Sequence, residues 1–231
     1  MIECIYHGHS FVELRSQEGS ILIDPFVSHN PKCELSLEQI NQLHIVGVVI
    51  THGHADHVGD VIAIANEHPD TPIITVYGLA KHLQELGATN AEGYGIGGTH
   101  HDNGFTVKFV PAIHDGGILD TGLSTVPAGV ILSIAGKVIY HAGDTALSKE
   151  MELLEPYHID VAFLPIGGTY TMDTSDALIA THMIKPKIVV PIHYNTRPKI
   201  KADDMGFARE VMTNRYAVPK VLKPGQSIVL E

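Results

Sequence analysis

Short runs of β-branched and other apolar residues recur along the whole chain, and they constrain its fold more than any other feature. Each run has the length and the Val and Ile content of a buried strand. The predicted strands are residues 20–23, 46–50, 73–76, 106–110, 130–134, 138–140, 161–164, 188–192 and 227–230. Between them, helical spacing of apolar residues and capping signals predict helices over residues 56–67, 79–86, 174–184 and 203–215. The alternation indicates a mixed chain of helices and many strands.

Two parts of the sequence share a pattern that suggests an internal repeat. A strand, a turn containing Gly, a second strand and an aspartate follow one another over residues 11–24 and again over residues 130–144. Each hairpin is followed, after an intervening segment, by a buried strand, at residues 46–50 and 161–164. The hypothesis is that the chain contains two related layers of strands and helices.

Composition excludes several classes of protein. The chain has 231 residues, of which 44% are hydrophobic, so a folded protein is expected. The 15 Lys and Arg against 26 Asp and Glu give a net charge of −11, which argues against a nucleic-acid partner. Two cysteines cannot form a disulfide framework, and neither a signal peptide nor a membrane-spanning run is evident. We expect one domain over residues 1–231, located in the cytoplasm and without membrane contact.

The strongest chemical signal is a cluster of metal-ligand residues after one predicted strand. Residues 51–60 read Thr-His-Gly-His-Ala-Asp-His-Val-Gly-Asp, in a chain that contains 16 His. His52, His54, Asp56 and His57 are four potential ligands, and a single ion rarely takes four ligands from so short a segment without strain. The cluster therefore predicts two adjacent metal ions.

Further ligands are expected at the ends of other predicted strands. His114, Asp144 and His193 each follow such a strand, and loops at strand ends on one edge of a layered sheet commonly build sites. His141 and Thr145 flank Asp144, and we expect them to support it rather than to bind metal directly.

The residues now described resemble the metallo-β-lactamase superfamily of metal-dependent hydrolases. The motif His-x-His-x-Asp-His is met by residues 52–57, and the ordered single ligands are met by His114, Asp144 and His193. The aspartate that closes the first hairpin is met by Asp24. Within the superfamily, the segments 7–11, 165–172 and 193–196 look most like a compact group of hydrolases related to L-ascorbate-6-phosphate lactonase.

The resemblance implies an α+β fold, an αββα sandwich in which two mixed β-sheets are flanked by helices. It also implies a role for each ligand: a first ion held by His52, His54 and His114, a second held by Asp56, His57 and His193, and Asp144 bridging both. Asp24 would orient the His loop from behind the ligands. The cofactor would be two divalent metal ions, with Zn²⁺ favoured and Mn²⁺ or Fe²⁺ as alternatives.

The mechanism that follows is hydrolysis by a metal-bridging hydroxide, with a small ester, lactone or phosphoester as substrate. Asp56 is the predicted catalytic residue, orienting the nucleophile or relaying its proton, although metal ligation alone is the alternative. A phosphodiesterase or nuclease of the same fold and a non-catalytic metal sensor are the competing functions. Antibiotic hydrolysis is disfavoured because class B1 β-lactamases place Cys where this chain has Asp144.

Several residues outside the motif are assigned by their position in the sequence. Thr169, Tyr170 and Asn195 are predicted to bind substrate because they follow predicted strands that end near the site. His7 and His9 are left open between a place at the pocket rim and a structural role. The remaining expectations are a surface position for His100 and His101, surface or an anion contact for Arg197 and Lys199, a lid over residues 115–127 and, by analogy, a homo-oligomer.

Overall fold

The computed structural model describes residues 1–102, 104–118 and 121–231, and strands dominate it. In chain order the strands are β1 (Ile2–Gly8), β2 (Phe11–Arg15), β3 (Ser20–Ile23), β4 (Ile45–Val49), β5 (Ile73–Val76), β6 (Ala91–Tyr94), β7 (Thr99–Asp102), β8 (Phe105–Pro111), β9 (Gly117–Ile118), β10 (Leu123–Ser124), β11 (Ala128–Ile134), β12 (Lys137–His141), β13 (Val161–Pro165), β14 (Ile188–Ile192), β15 (Val218–Pro219) and β16 (Gln226–Leu230). The α-helices are α1 (Leu37–Asn41), α2 (Ala55–Val58), α3 (Val61–Glu67), α4 (Tyr77–Glu85), α5 (Thr174–Ile184) and α6 (Asp204–Asn214). Two 3₁₀ helices span Lys149–Tyr157 and Pro198–Ile200.

The strands form two large mixed sheets and one small one. The first seven-stranded sheet has the order β16-β1-β2-β3-β4-β5-β6, and the second has the order β15-β14-β13-β12-β11-β8-β7. In the first sheet, β1, β2 and β3 pair antiparallel, whereas β3 to β6 pair parallel. In the second, β8, β11 and β12 pair antiparallel, whereas β12 to β15 pair parallel. The same succession in both sheets confirms the suggested repeat at the level of topology.

The side chains of a strand alternate between two apolar cores, which shows that the two sheets pack face to face between two helical layers. Val130 and Leu132 of β11 belong to the main core, whereas Ile131 between them belongs to a second core. Successive side chains of a strand point to opposite faces, so each face of the second sheet has its own apolar contacts. The second core includes residues of α5 and α6, and the main core includes residues of α1, α3 and α4. The predicted αββα sandwich is therefore confirmed.

One predicted helix is wrong in its extent. The helix expected over residues 56–67 is divided, since α2 ends at Val58 and α3 begins at Val61. Gly59 between them has φ +51°, and a Cβ there would lie 2.5 Å from the carbonyl oxygen of Pro25. The chain turns at Gly59 because the loop after β3 packs against it.

Of two other expectations, one is untested and one is wrong. The segment 115–127 contains β9 and β10, which pair antiparallel, and residues 119 and 120 lie outside the described residues, so the lid stays a prediction. His100 is buried on β7 rather than exposed, and its Nδ1 lies 2.9 Å from the hydroxyl of Tyr94. None of the helices formed by the described residues is long and apolar enough to cross a lipid bilayer.

Candidate metal centre

The predicted ligands meet at one edge of the two sheets. His52 follows β4 in the first sheet, whereas His114, Asp144 and His193 follow β8, β12 and β14 in the second. The first sheet also contributes His9, directly after β1. Residues from both halves of the repeat therefore share one site.

The loop after β4 and the short helix α2 present four of these side chains. His54 precedes α2, and Asp56 and His57 occupy its first turn. Adjacent helical residues point about 100° apart, which leaves the Asp56 side chain 24% exposed and the His57 side chain fully buried. Gly53 is required because a Cβ there would lie 2.8 Å from the carbonyl oxygen of Gly117.

The first donor set comprises His52, His54, His114 and Asp144. Nε2 of His52 lies 3.0 Å from Nδ1 of His54, which lies 3.2 Å from Nε2 of His114. Nε2 of His114 lies 3.5 Å from Oδ2 of Asp144. These donor atoms lie within 4.8 Å of one another.

The second donor set comprises His9, Asp56, His57 and His193, whose donor atoms also lie within 4.8 Å of one another. Nε2 of His9 lies 3.1 Å from Oδ2 of Asp56. Asp144 of the first set adjoins this second set as well, because its Oδ1 lies 3.3 Å from Nε2 of His57 and its Oδ2 lies 3.1 Å from Nε2 of His193.

The donor atoms fit divalent cations. Among the described residues, Nε2 of His57 and Oδ1 of Asp144 are buried without a hydrogen-bond partner, a costly arrangement unless another group satisfies them. Tetrahedral ligands at metal distances of about 2.0–2.1 Å are separated by roughly 3.3 Å, which is close to the separations described here. Imidazole and carboxylate donors suit Zn²⁺, Fe²⁺ and related transition metals.

Asp24 organises the histidines from behind. Its Oδ2 accepts hydrogen bonds from Nδ1 of His57 at 2.7 Å and from the Thr51 hydroxyl at 2.8 Å. Since the Thr51 hydroxyl donates to Asp24, it accepts from Nδ1 of His52 at 3.0 Å. Both histidines thereby present Nε2 to the donor sets, which is the arrangement expected of Asp24.

His141 and Thr145 fix the loop that carries Asp144. Nε2 of His141 donates to the carbonyl oxygen of Ser10 at 2.8 Å, and its Nδ1 accepts from the backbone N–H of Gly143 at 3.1 Å. The Thr145 hydroxyl accepts from the backbone N–H of Ile113, beside His114, at 3.0 Å. Neither residue belongs to a donor set, in agreement with a supporting role.

Burial and neighbouring charges set the protonation of the site. Burial opposes ionisation of Asp144, but His193 and His57 outweigh it and hold the pKa of Asp144 well below its usual range. For Asp56, burial is likewise outweighed by the adjacent His9 and by His57, so its pKa is lowered. Burial lowers the pKa of His9 to about 4. These directions favour ionised carboxylates and a neutral His9. Burial opposes charging of His57, but Asp144 and Asp24 outweigh it and hold the pKa of His57 well above its usual range. Metal binding at His57 would therefore release a proton.

A cavity of about 410 Å³ opens onto the donor sets. Its lining residues are His54, Ala55, Asp56, His114, Asp115, Asp144, Tyr170, His193 and Arg197. Tyr170 thus lies where a substrate-binding residue was predicted. Thr169 and Asn195 do not line it: the Thr169 hydroxyl donates to the carbonyl of Lys199, and both polar atoms of the Asn195 amide bond the backbone of Ala202. Their contact with substrate stays a prediction.

His9 is the site residue that the sequence prediction left undecided. Its backbone has φ +60°, and Asp24 and His193 have φ +50° and +54°. Non-glycine residues seldom adopt this left-handed region, and such residues often occur at functional sites. These backbone angles have no signature in the sequence, although the pair Gly8-His9 at a strand end is a signal that could have favoured His9 over His7.

The comparisons with known proteins agree with this geometry. The sequence model of the beta-lactamase superfamily domain matches residues 20–194. A UPF0173 metal-dependent hydrolase from Enterococcus faecalis is 43% identical over 234 residues, covering 99% of this chain and 100% of the relative. Another from Bacillus mycoides is 39% identical over 236 residues, covering 100% of both chains.

The solved structures include a close match. A metallo hydrolase from the archaeon Ignicoccus hospitalis has a TM-score of 0.90 and 35% identity to this chain, covering 100% of this chain and 98% of its own. The predicted superfamily is therefore confirmed, whereas the relation to L-ascorbate-6-phosphate lactonase stays a prediction. The protein belongs to the beta-lactamase superfamily and, within it, to the UPF0173 family of metal-dependent hydrolases.

Proposed function

We propose that the protein is a dinuclear hydrolase that cleaves a small, negatively charged ester, lactone or phosphoester. The observation that carries the proposal is the position of Asp144, whose two carboxylate oxygens reach nitrogen donors of both sets. A carboxylate shared in this way supports two ions held side by side at the floor of one cavity.

The donor chemistry supports a transition metal at both positions. Zn²⁺ is the favoured ion, with Mn²⁺ or Fe²⁺ as alternatives, because imidazole nitrogens outnumber carboxylates in each set. Bound ions of this kind act as Lewis acids and lower the pKa of a coordinated water toward neutrality.

Asp56 is the proposed positioning group for the attacking water. Its side chain is partly exposed to the cavity and its lowered pKa keeps it ionised, so it accepts a hydrogen bond from water throughout the neutral range. A carboxylate with so low a proton affinity is a weak base. The low pKa of Asp56 therefore favours a role in orienting the water over a role as the general base that accepts its proton.

Arg197 supports the choice of an anionic substrate. It lines the same cavity as Asp56, Asp115 and Asp144, and among the described residues it forms no ion pair. A guanidinium binds carboxylate or phosphate oxygens in a bidentate manner. We therefore place the anionic group of the substrate at Arg197.

The size and charge of the site favour a small molecule. A cavity of about 410 Å³ is within the range of small-ligand pockets. The net charge of −11 disfavours a nucleic-acid backbone, so a nuclease is not the preferred function. A cytoplasmic location and a homo-oligomeric state accompany the proposal as untested expectations.

The test begins with protein purified without added metal. Elemental analysis before and after reconstitution gives ions per chain, and a panel of lactones, thioesters, phosphomonoesters and bis-aryl phosphodiesters gives turnover with and without chelator. About two ions per chain and chelator-sensitive turnover of an anionic substrate are expected. Less than about one ion per chain after reconstitution, with no turnover, would overturn the proposal.

Two variants separate the positions. Asp144→Asn removes the shared carboxylate and is expected to weaken binding of both ions, whereas Asp56→Asn is expected to weaken one. If the two variants lose the same number of ions, Asp144 is not shared.

A further inference from the structure

His9 is held in one orientation by its backbone. Its carbonyl oxygen accepts hydrogen bonds from the backbone N–H of His193 at 2.8 Å and from the Tyr6 hydroxyl at 3.2 Å. Its side chain is 1% exposed, and Gly8 before it has φ +98°. A left-handed conformation at a buried histidine costs free energy, so the surrounding contacts must hold it there.

The two ring nitrogens of His9 have different surroundings. Nδ1 lies 2.7 Å from the hydroxyl of Thr196, whereas Nε2 lies 3.1 Å from Oδ2 of Asp56. His52 and His57 show the same arrangement, since Nδ1 of each meets an oxygen and Nε2 faces the donor sets. In metal sites, a ligating histidine usually donates its other N–H to such an oxygen.

We propose that Nε2 of His9 is a metal ligand, the fourth protein donor of the second set. This inference rests on the proposed function, because it requires an ion at the second position. With His9 included, each position has three imidazoles, and the second has Asp56 in addition to the shared Asp144. The two positions then differ in their carboxylates but not in their number of imidazoles.

A hydrogen bond from His9 to Asp56 is the competing interpretation. A histidine beside a carboxylate is not in itself a metal site, since Nε2 of His7 lies 3.0 Å from Oε2 of Glu13 with no third donor in a common group. His9 differs because its donor atom also lies within 4.8 Å of those of His57 and His193. When Nδ1–H donates to Thr196, the lone pair of Nε2 faces the acceptor Oδ2 of Asp56, which is favourable only with a cation between them.

Ligation by His9 has a measurable consequence. His9 gives the second position a third imidazole, so its loss should weaken the binding of one ion and leave the other unchanged. Co²⁺ provides a probe, because each bound ion contributes visible absorption that depends on its ligands.

The test compares His9→Gln with His9→Ala. The Gln amide nitrogen can occupy the place of Nε2 and donate to Asp56, but an amide is a poor ligand for Zn²⁺ or Co²⁺. Titration with Co²⁺ in competition with a chromophoric chelator, read by absorption, gives the affinity of each position. If His9 is a ligand, both variants should bind the second ion at least about 10- to 100-fold more weakly than the wild type.

The opposite outcome is equally clear. If His9→Gln binds the second ion like the wild type while His9→Ala does not, His9 only donates a hydrogen bond and the proposal is wrong. His7→Gln, a buried histidine of the same strand, is the matched control and should leave both affinities unchanged. Circular dichroism and thermal melting establish that each variant is folded.

A second variant keeps the inference testable if His9 variants fail to fold. Thr196→Val removes the partner of Nδ1 and should weaken the second position about tenfold; unchanged affinity would count against His9 as a ligand. A wild type that binds one ion refutes the dinuclear function. The His9 proposal then stands if His9→Gln weakens that ion and falls if it does not.

Discussion

Oδ2 of Asp24 lies 2.7 Å from Nδ1 of His57, although 33 positions separate the two residues in sequence. The same carboxylate reaches His52 through the hydroxyl of Thr51. One buried side chain therefore sets the orientation of a histidine in each donor set. Asp24 itself has φ +50°, and in this left-handed turn after β3 its carboxylate meets Thr51 and His57 of the His loop.

Replacing Asp24 by Asn tests this arrangement. Asn tolerates the left-handed backbone, but its amide has a single acceptor oxygen. Asp24 accepts from the Thr51 backbone N–H on Oδ1 and from His57 and the Thr51 hydroxyl on Oδ2, so Asn cannot satisfy both sides and the orientation of the histidines is weakened. We expect metal affinity to fall about 10- to 100-fold, measured by competition with a chelating dye. Thr51→Val removes only the hydroxyl that links Asp24 to His52. It should therefore weaken the orientation of His52 and leave that of His57 unchanged. Unchanged affinity in Asp24→Asn would show that the carboxylate does not orient the ligands.

Arg197 gives a prediction about substrate choice. Arg197→Gln should raise KM for an anionic substrate by about 10- to 100-fold, because a charge-assisted hydrogen bond contributes about 1.5–3 kcal/mol. A neutral substrate with the same scissile bond should be hydrolysed as before. Lys199→Gln is the control, since Lys199 lies two residues from Arg197 in the chain but is not among the residues that line the cavity. Equal losses on both substrates would exclude Arg197 as the anion contact.

The turn at Gly59 predicts an effect on stability. Gly59→Ala puts a Cβ 2.5 Å from the Pro25 carbonyl oxygen and 2.7 Å from Cα of Phe26, at a positive φ. The free energy of unfolding should fall by at least about 1–2 kcal/mol, as measured by urea denaturation. Gly95→Ala, where nothing lies within 4 Å of the added Cβ, should be nearly neutral. If the two variants are equally stable, the contact with residues 25–26 is not tight.

Glu13 provides a pH dependence that is independent of metal. Burial opposes its ionisation, but hydrogen bonds from His7 and Ser20 and the neighbouring Arg15 outweigh burial and lower its pKa below 4.5. Because the folded-state pKa is depressed, the ionised Glu13 stabilises the fold above about pH 4.5. That stabilisation is lost as the pH falls through the lowered pKa.

The corresponding variant is Glu13→Gln, studied in excess chelator so that metal release does not contribute. At pH 7 the variant should be less stable than the wild type by about 1–3 kcal/mol. The difference should hold down to about pH 5 and shrink at lower pH, as measured by urea unfolding. A difference that stays constant below pH 4 would mean that the pKa of Glu13 is not lowered.

Most strands and the local ligand cluster could be predicted from the sequence because they depend on short-range patterns. Residues 20–23, 73–76 and 188–192 were predicted with the bounds that the structure has, since each is a compact β-branched run. The cluster His52 to His57 is visible for the same reason: its members are neighbours in the chain.

The features that the sequence did not predict depend on tertiary contacts or backbone angles. His9 joins the second set only because β1 ends beside β14, and no spacing in the sequence links them. Asn195 was expected at the substrate, but at φ +56° its amide turns to Ala202. The helix expected over residues 56–67 breaks at Gly59 because the loop after Asp24 requires the space.

The antiparallel pairing of β1 with β16 affects the order in which the chain folds during synthesis. Ile2 faces Leu230 across this pair, so one edge of β1 stays open until the strand at 226–230 has been synthesised. His193 also emerges long after His9, with which it shares a backbone hydrogen bond. During synthesis, the cluster His52 to His57 is therefore made before His193, which completes the second donor set. We expect metal to bind after the chain has folded rather than to initiate folding.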